Sequence, residues 1–119
     1  MTDHILNDLA RLTHIANKRW WTDLATGELQ KLNIGELLML TVSELAEAME
    51  GHRKGLMDDK LPQYPMFDVE LVDCLIRVLD MFGALGIDVG AIYDAKMKYN
   101  ASRRDHMRER RLAAGGKKY

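Results

Sequence analysis

Apolar positions recur every three to four residues through most of the chain, the period of amphipathic helices. Ile5, Leu9, Leu12 and Ile15 or Ala16 place a first helix over residues 3–19, with Thr2 or Asp3 to cap it. Ile34, Leu38, Val42 or Thr41, Leu45 and Met49 give the core stripe of a second helix running to about Arg53. Asn33-Ile-Gly-Glu36 has the form of a capping box at its start, in which Asn33 accepts from an amide of the first turn and Glu36 reaches back. A third helix is predicted over 67–84, and a fourth over 89–106, capped by Asp88, with Ile92, Tyr93 and Met97 inward. Residues 22–33 read as a connection. Leu56 to Met66, with Pro62 and Pro65, is a loop of a length that is often functional in compact domains. The pattern predicts an all-α fold: a four-helix bundle whose core, in a chain this short, is completed by homo-oligomerisation.

The third helix departs from simple amphipathicity. From Val69 to Phe82 every residue is apolar except Glu70, Asp73, Arg77 and Asp80, which fall on one stripe. A helix apolar over so much of its circumference is predicted to be buried on most sides. Its stripe is then either a narrow solvent face or the lining of a polar cavity. The preceding helix carries a matching pair, Glu44 and Glu47, separated from Glu70 by 22 residues. Each pair has i, i+3 spacing, so each helix projects two carboxylates from one face. Facing carboxylates repel and raise one another's pKa unless a cation neutralises them, which favours the cavity.

Composition limits the alternatives. The chain has 119 residues, 47% apolar and 29% charged, with a net charge of −1, the balance of an ordinary globular domain. Absence of a long apolar run argues against a membrane partner, and an N-terminus without signal-peptide character gives a cytoplasmic expectation. The single cysteine, Cys74, excludes an intrachain disulfide and is expected to be a buried thiol. Charge is uneven: residues 103–119 hold seven Lys and Arg against Asp105 and Glu109, so this segment is +5 and the rest −6. The predicted organisation is a helical domain over 1–106 and a basic, flexible tail over 107–119. Such a tail is more often a solvated helix end than a nucleic-acid site, and nucleic acid is not the expected partner.

Four hard carboxylate oxygens with no suitably spaced histidine or cysteine select Mg²⁺, with Mn²⁺ an alternative, over zinc. Mg²⁺ commonly shares its shell with substrate phosphates. On the fourth helix Lys96, Asn100 and Arg103 or Arg104 place an ammonium, an amide and a guanidinium along one side, suited to phosphate and sugar oxygens. A solvated helix face produces the same pattern. Trp20 and Trp21 cannot share one helical face, so one is expected to anchor the core while the other is open to a ligand; both as packing anchors is the plainer alternative.

The segments Leu40-Thr-Val-Ser-Glu44-Leu-Ala-Glu47-Ala, Glu70-Leu-Val-Asp73 and Lys96-Met-Lys-Tyr-Asn100-Ala-Ser-Arg103, in this order, resemble the MazG-type branch of the all-α nucleoside triphosphate pyrophosphohydrolases over about residues 34–104. The resemblance implies Mg²⁺-dependent hydrolysis between the α- and β-phosphates, giving a monophosphate and pyrophosphate, as nucleotide-pool housecleaning by a homodimer or tetramer. Carried over by position, Glu44, Glu47, Glu70 and Asp73 would hold the metal, with Glu44 or Glu47 also orienting the attacking water. Lys96, Asn100 and Arg103 would bind substrate. Trp20 lies outside the matched stretch and is a candidate base contact. The competing reading is a non-catalytic helical oligomerisation or regulatory module whose basic tail touches nucleic acid or a protein.

Overall fold

The second helix begins where its cap predicts. Asn33 Oδ1 accepts from the Glu36 N–H at 3.2 Å, while the Glu36 carboxylate does not reach back, so the box is half formed. In the computed structural model, which describes all of residues 1–119, α1 is Ile5–Asn17, α2 Ile34–Lys54, α3 Met66–Leu85, α4 Val89–Ser102 and α5 Arg108–Leu112. 3₁₀ turns occupy Lys18–Trp21 and Arg104–His106. The protein is all-helical, with 67% of residues in helix and no strand. Its residues group into two compact units, Asp8–Ile87 and Met1–Asn7 with Asp88–Tyr119.

In the first of these units α2 and α3 pack on each other. Small residues set their spacing. Thr41, Ala48 and Gly51 take the buried positions of α2, and a Cβ built on Gly51 would lie 2.8 Å from Met66 Cβ, so only glycine admits this approach. Gly51 is one turn after Glu47 and Met66 one turn before Glu70, so the contact sets the helix separation beside the acidic pairs. α2 ends at Gly55 in the left-handed conformation (φ 61°), its N–H on the Gly51 and His52 carbonyls. The following loop closes on itself rather than hanging free. Asp58 N–H donates to the Tyr64 carbonyl at 2.9 Å, Met66 N–H to the Leu56 carbonyl, and the buried Asp58 side chain accepts from Lys60 N and Leu61 N.

Ile34, Leu38, Val42, Leu45 and Met49 were the anticipated core stripe of α2, yet only the alternative Thr41 is buried and the larger side chains are exposed. Within one chain α3 buries only Glu70 and Leu79 and exposes Leu71, Val72, Leu75 and Ile76, apolar positions that the sequence reading left for a second copy to cover. The buried positions of α2 are small residues, so its bulky ones point elsewhere.

In the other unit α4 is fixed at its start by a polar knot. Asp88 accepts from Ala91 N, from Thr2 N and Oγ1 at 2.8 and 2.7 Å, and from Asn7 Nδ2 at 2.8 Å, while Asn7 Oδ1 accepts from Gly90 N. Ile92, Tyr93 and Met97 are exposed rather than inward. α4 also stops four residues short of the predicted end. The Ser102 hydroxyl donates to the Tyr99 carbonyl at 3.0 Å, and Arg103 turns extended to grip Asp105 with Nε and a terminal nitrogen at 3.0 and 2.6 Å.

Candidate metal centre

Glu44 and Glu47 stand one turn apart on α2, and Glu70 on α3 faces them. Each of the three offers a carboxylate oxygen, and these oxygens all lie within 4.8 Å of one another. Glu70 is the buried member, 8% exposed, and its Oε2 has no hydrogen-bond partner. Its neighbours there are carboxylate oxygens, which only accept, so a proton or a cation is what can satisfy it. Burial, then the Glu44 and Glu47 carboxylates, push the Glu70 carboxyl from 4.5 up to about 8. Asp73, one turn along α3, is raised as well, first by burial and then by Glu44. Asp73 stands outside the three-glutamate group. The acidic spacing thus brings together three of the four expected ligands closely and the fourth within electrostatic reach.

A cation is built into this face. Arg77 Nε donates to Glu44 Oε1 at 2.8 Å. Beyond it opens a cleft of about 550 Å³ that shares Glu44, Asp73 and Arg77 with the acidic face and has Leu37, Leu40, Trp20 and Trp21 among its other walls. The tryptophans are divided as the sequence suggests: Trp21 is 9% exposed and Trp20 64%. Trp21 Nε1 donates to Asp80 Oδ2 at 2.9 Å, and Asp80 Oδ1 lies 2.8 Å from His14 Nδ1. This network anchors the 3₁₀ turn and leaves the Trp20 ring available at the cleft, with the Arg19 guanidinium 5.4 Å from its centroid.

Lys96, Asn100 and Arg103 form a separate group in the other unit. Lys96 Nζ and Arg103 Cζ flank the Tyr99 ring, 5.0 and 5.7 Å from its centroid. Arg103 is engaged by Asp105, which also accepts from Lys117 at 3.0 Å. Asn100 Oδ1 is buried without a hydrogen-bond partner, a polar atom whose requirement nothing in the chain meets.

Sequence reasoning did not single out Arg77, Asp80 or His14 as site residues. Arg77 and Asp80 were visible only as members of the polar stripe of α3. His14 carried no distinguishing signal, because its tie to Asp80 spans 66 positions. Chemically, the face offers hard oxygen donors beside a cleft with an aromatic wall and a guanidinium. No protein-family model, curated protein or solved structure matches the chain.

Proposed function

We propose that the protein is a Mg²⁺-dependent nucleoside triphosphate pyrophosphohydrolase, cleaving between the α- and β-phosphates to release a monophosphate and pyrophosphate. One observation carries the reading: the buried, unpartnered Glu70 oxygen beside Glu47 and Glu44, the latter also lining a cleft walled by tryptophan. A purely structural cluster gains nothing from an orphaned carboxylate oxygen, which costs about 1–3 kcal/mol or more unless it is satisfied. A divalent cation satisfies it, and the all-oxygen donor set fits Mg²⁺ or Mn²⁺. Glu44, Glu47 and Glu70 would hold the ion, with Asp73 completing the shell. Bound there, the metal supplies charge neutralisation for phosphate oxygens and a lowered pKa for water.

The other roles fall to this chain's own side chains. Glu47, the exposed member of the three, would orient the attacking water. The Trp20 face offers a base a stacking surface, and the cleft walls exclude water from one side of the nucleotide. The resemblance assigns phosphate or sugar oxygens to Lys96, Asn100 and Arg103, whose guanidinium Asp105 holds. The chain works as a homodimer or tetramer, because Leu38, Val42, Leu45, Leu71, Val72 and Leu75 are exposed on α2 and α3 and an apolar surface of this extent is unfavourable in water. These assignments agree with the resemblance to MazG-type pyrophosphohydrolases.

The test is a panel of ribo- and deoxyribonucleoside triphosphates assayed for pyrophosphate release with and without Mg²⁺. Metal-dependent release from at least one nucleotide is expected. A protein that releases none across the panel is instead a binding or oligomerisation module.

A further inference from the structure

Arg77 is the only basic side chain within ion-pair distance of any of Glu44, Glu47, Glu70 and Asp73. Its bond to Glu44 uses Nε alone, so neither terminal nitrogen of the guanidinium hydrogen-bonds to the protein. The side chain is 38% exposed and lines the cleft, whereas its partner Glu44 is 12% exposed. One edge of a planar donor group is therefore fixed to a carboxylate while its fork is free for another acceptor.

Glu44 belongs to the three-glutamate group, so a divalent cation held there takes the same carboxylate that Arg77 neutralises. A doubly charged ion and a guanidinium against one carboxylate repel each other. The free fork has the geometry that pairs bidentately with non-bridging phosphate oxygens.

We propose that Arg77 is a counter-ion that changes partners: it neutralises Glu44 until a divalent cation takes that carboxylate, and then binds the polyphosphate of the substrate. This inference rests on the metal and nucleotide reading of the site and adds to it a substrate-binding residue. It also explains why one cation stands on an otherwise acidic stripe. A residue serving only to hold Glu44 in place would have no need of an unpaired fork facing a cleft.

The test separates the two halves of the exchange. Mn²⁺ alone is titrated into the full-length protein and into Arg77→Gln and Arg77→Lys by calorimetry, and inorganic tripolyphosphate is then titrated in saturating Mn²⁺. Removing the competing positive charge should tighten Mn²⁺ binding in Arg77→Gln by about threefold or more. Losing the fork should weaken tripolyphosphate by about tenfold or more in the same variant. Arg77→Lys keeps the charge without the fork, so its Mn²⁺ affinity should stay near the parental value while tripolyphosphate binding falls. If Arg77→Gln does not fold, the lysine variant still decides the matter, because parental tripolyphosphate affinity in it refutes the exchange. Unchanged or weaker Mn²⁺ binding in Arg77→Gln also refutes it and leaves Arg77 as a positioning partner of Glu44. Parental protein that binds no Mn²⁺ removes the metal reading as well, so the two failures are distinguishable.

Discussion

Replacing Glu70 by glutamine should stabilise the metal-free protein, and increasingly so as pH rises. Folding buries this carboxyl among acceptors and lifts it from 4.5 to about 8. The folded chain therefore binds more protons than the unfolded chain between those values, so stability is full at acid pH and is lost as pH climbs through the window. At 1.36 kcal/mol for each pH unit in which the two states differ by a full proton, the loss between pH 5 and 8 is roughly 3.5 kcal/mol. For a domain of this size that corresponds to roughly 10 °C in melting temperature. Glutamine has no such titration, and its amide can donate to Glu44 or Glu47. Thermal melts in chelator should show the parental protein falling across this range while Glu70→Gln stays nearly flat and lies above it at pH 8. Excess Mn²⁺ should raise the parental midpoint at pH 8 and leave the variant unmoved. A variant less stable than the parent at pH 8 in chelator would mean that Glu70 is an ordinary satisfied side chain, and the reasoning would fail.

Gly51→Ala forces a Cβ against Met66 and pushes α2 from α3, so it should cost about 1–3 kcal/mol and weaken Mn²⁺ binding measured by calorimetry; parental affinity would show that the contact does not set the acid geometry. Sedimentation at micromolar concentration should give twice the single-chain mass or more, and a monomer would contradict the assignment of the exposed apolar faces. Lys96→Ala and Asn100→Ala should each lower kcat/KM for the best nucleotide by about ten- to a hundredfold, with melting temperatures barely moved. Parental rates in both would reduce this group to a surface feature.

Much of the architecture was legible because it is written locally. Asn33, Asp88, Gly55 and Gly86 mark helix ends through their own backbone and side-chain chemistry, and α2 and α3 start and stop within a residue or two of the predicted bounds. The i, i+3 spacing of the carboxylates likewise needs no tertiary information, and three of them do converge. What failed needed knowledge of neighbours. Periodicity shows that Leu38, Val42 and Leu45 share a face but not whether another helix covers it, and the small residues Thr41, Ala48 and Gly51 hold the close contact instead. The Glu44–Arg77 pair joins residues 33 positions apart and depends on the rotation of both helices. The break at Arg103 depends on Asp105 competing for its guanidinium, which no helix pattern encodes.

Whether this acidic face hydrolyses a nucleotide anhydride is decided by following one nucleoside triphosphate from the panel by phosphorus NMR with Mg²⁺, for the parental protein and for Glu47→Gln. The parent is expected to give monophosphate and pyrophosphate in equal amounts and no orthophosphate, with no turnover in the variant or in chelator. Release of orthophosphate with a diphosphate, or parental turnover in Glu47→Gln, would contradict this assignment.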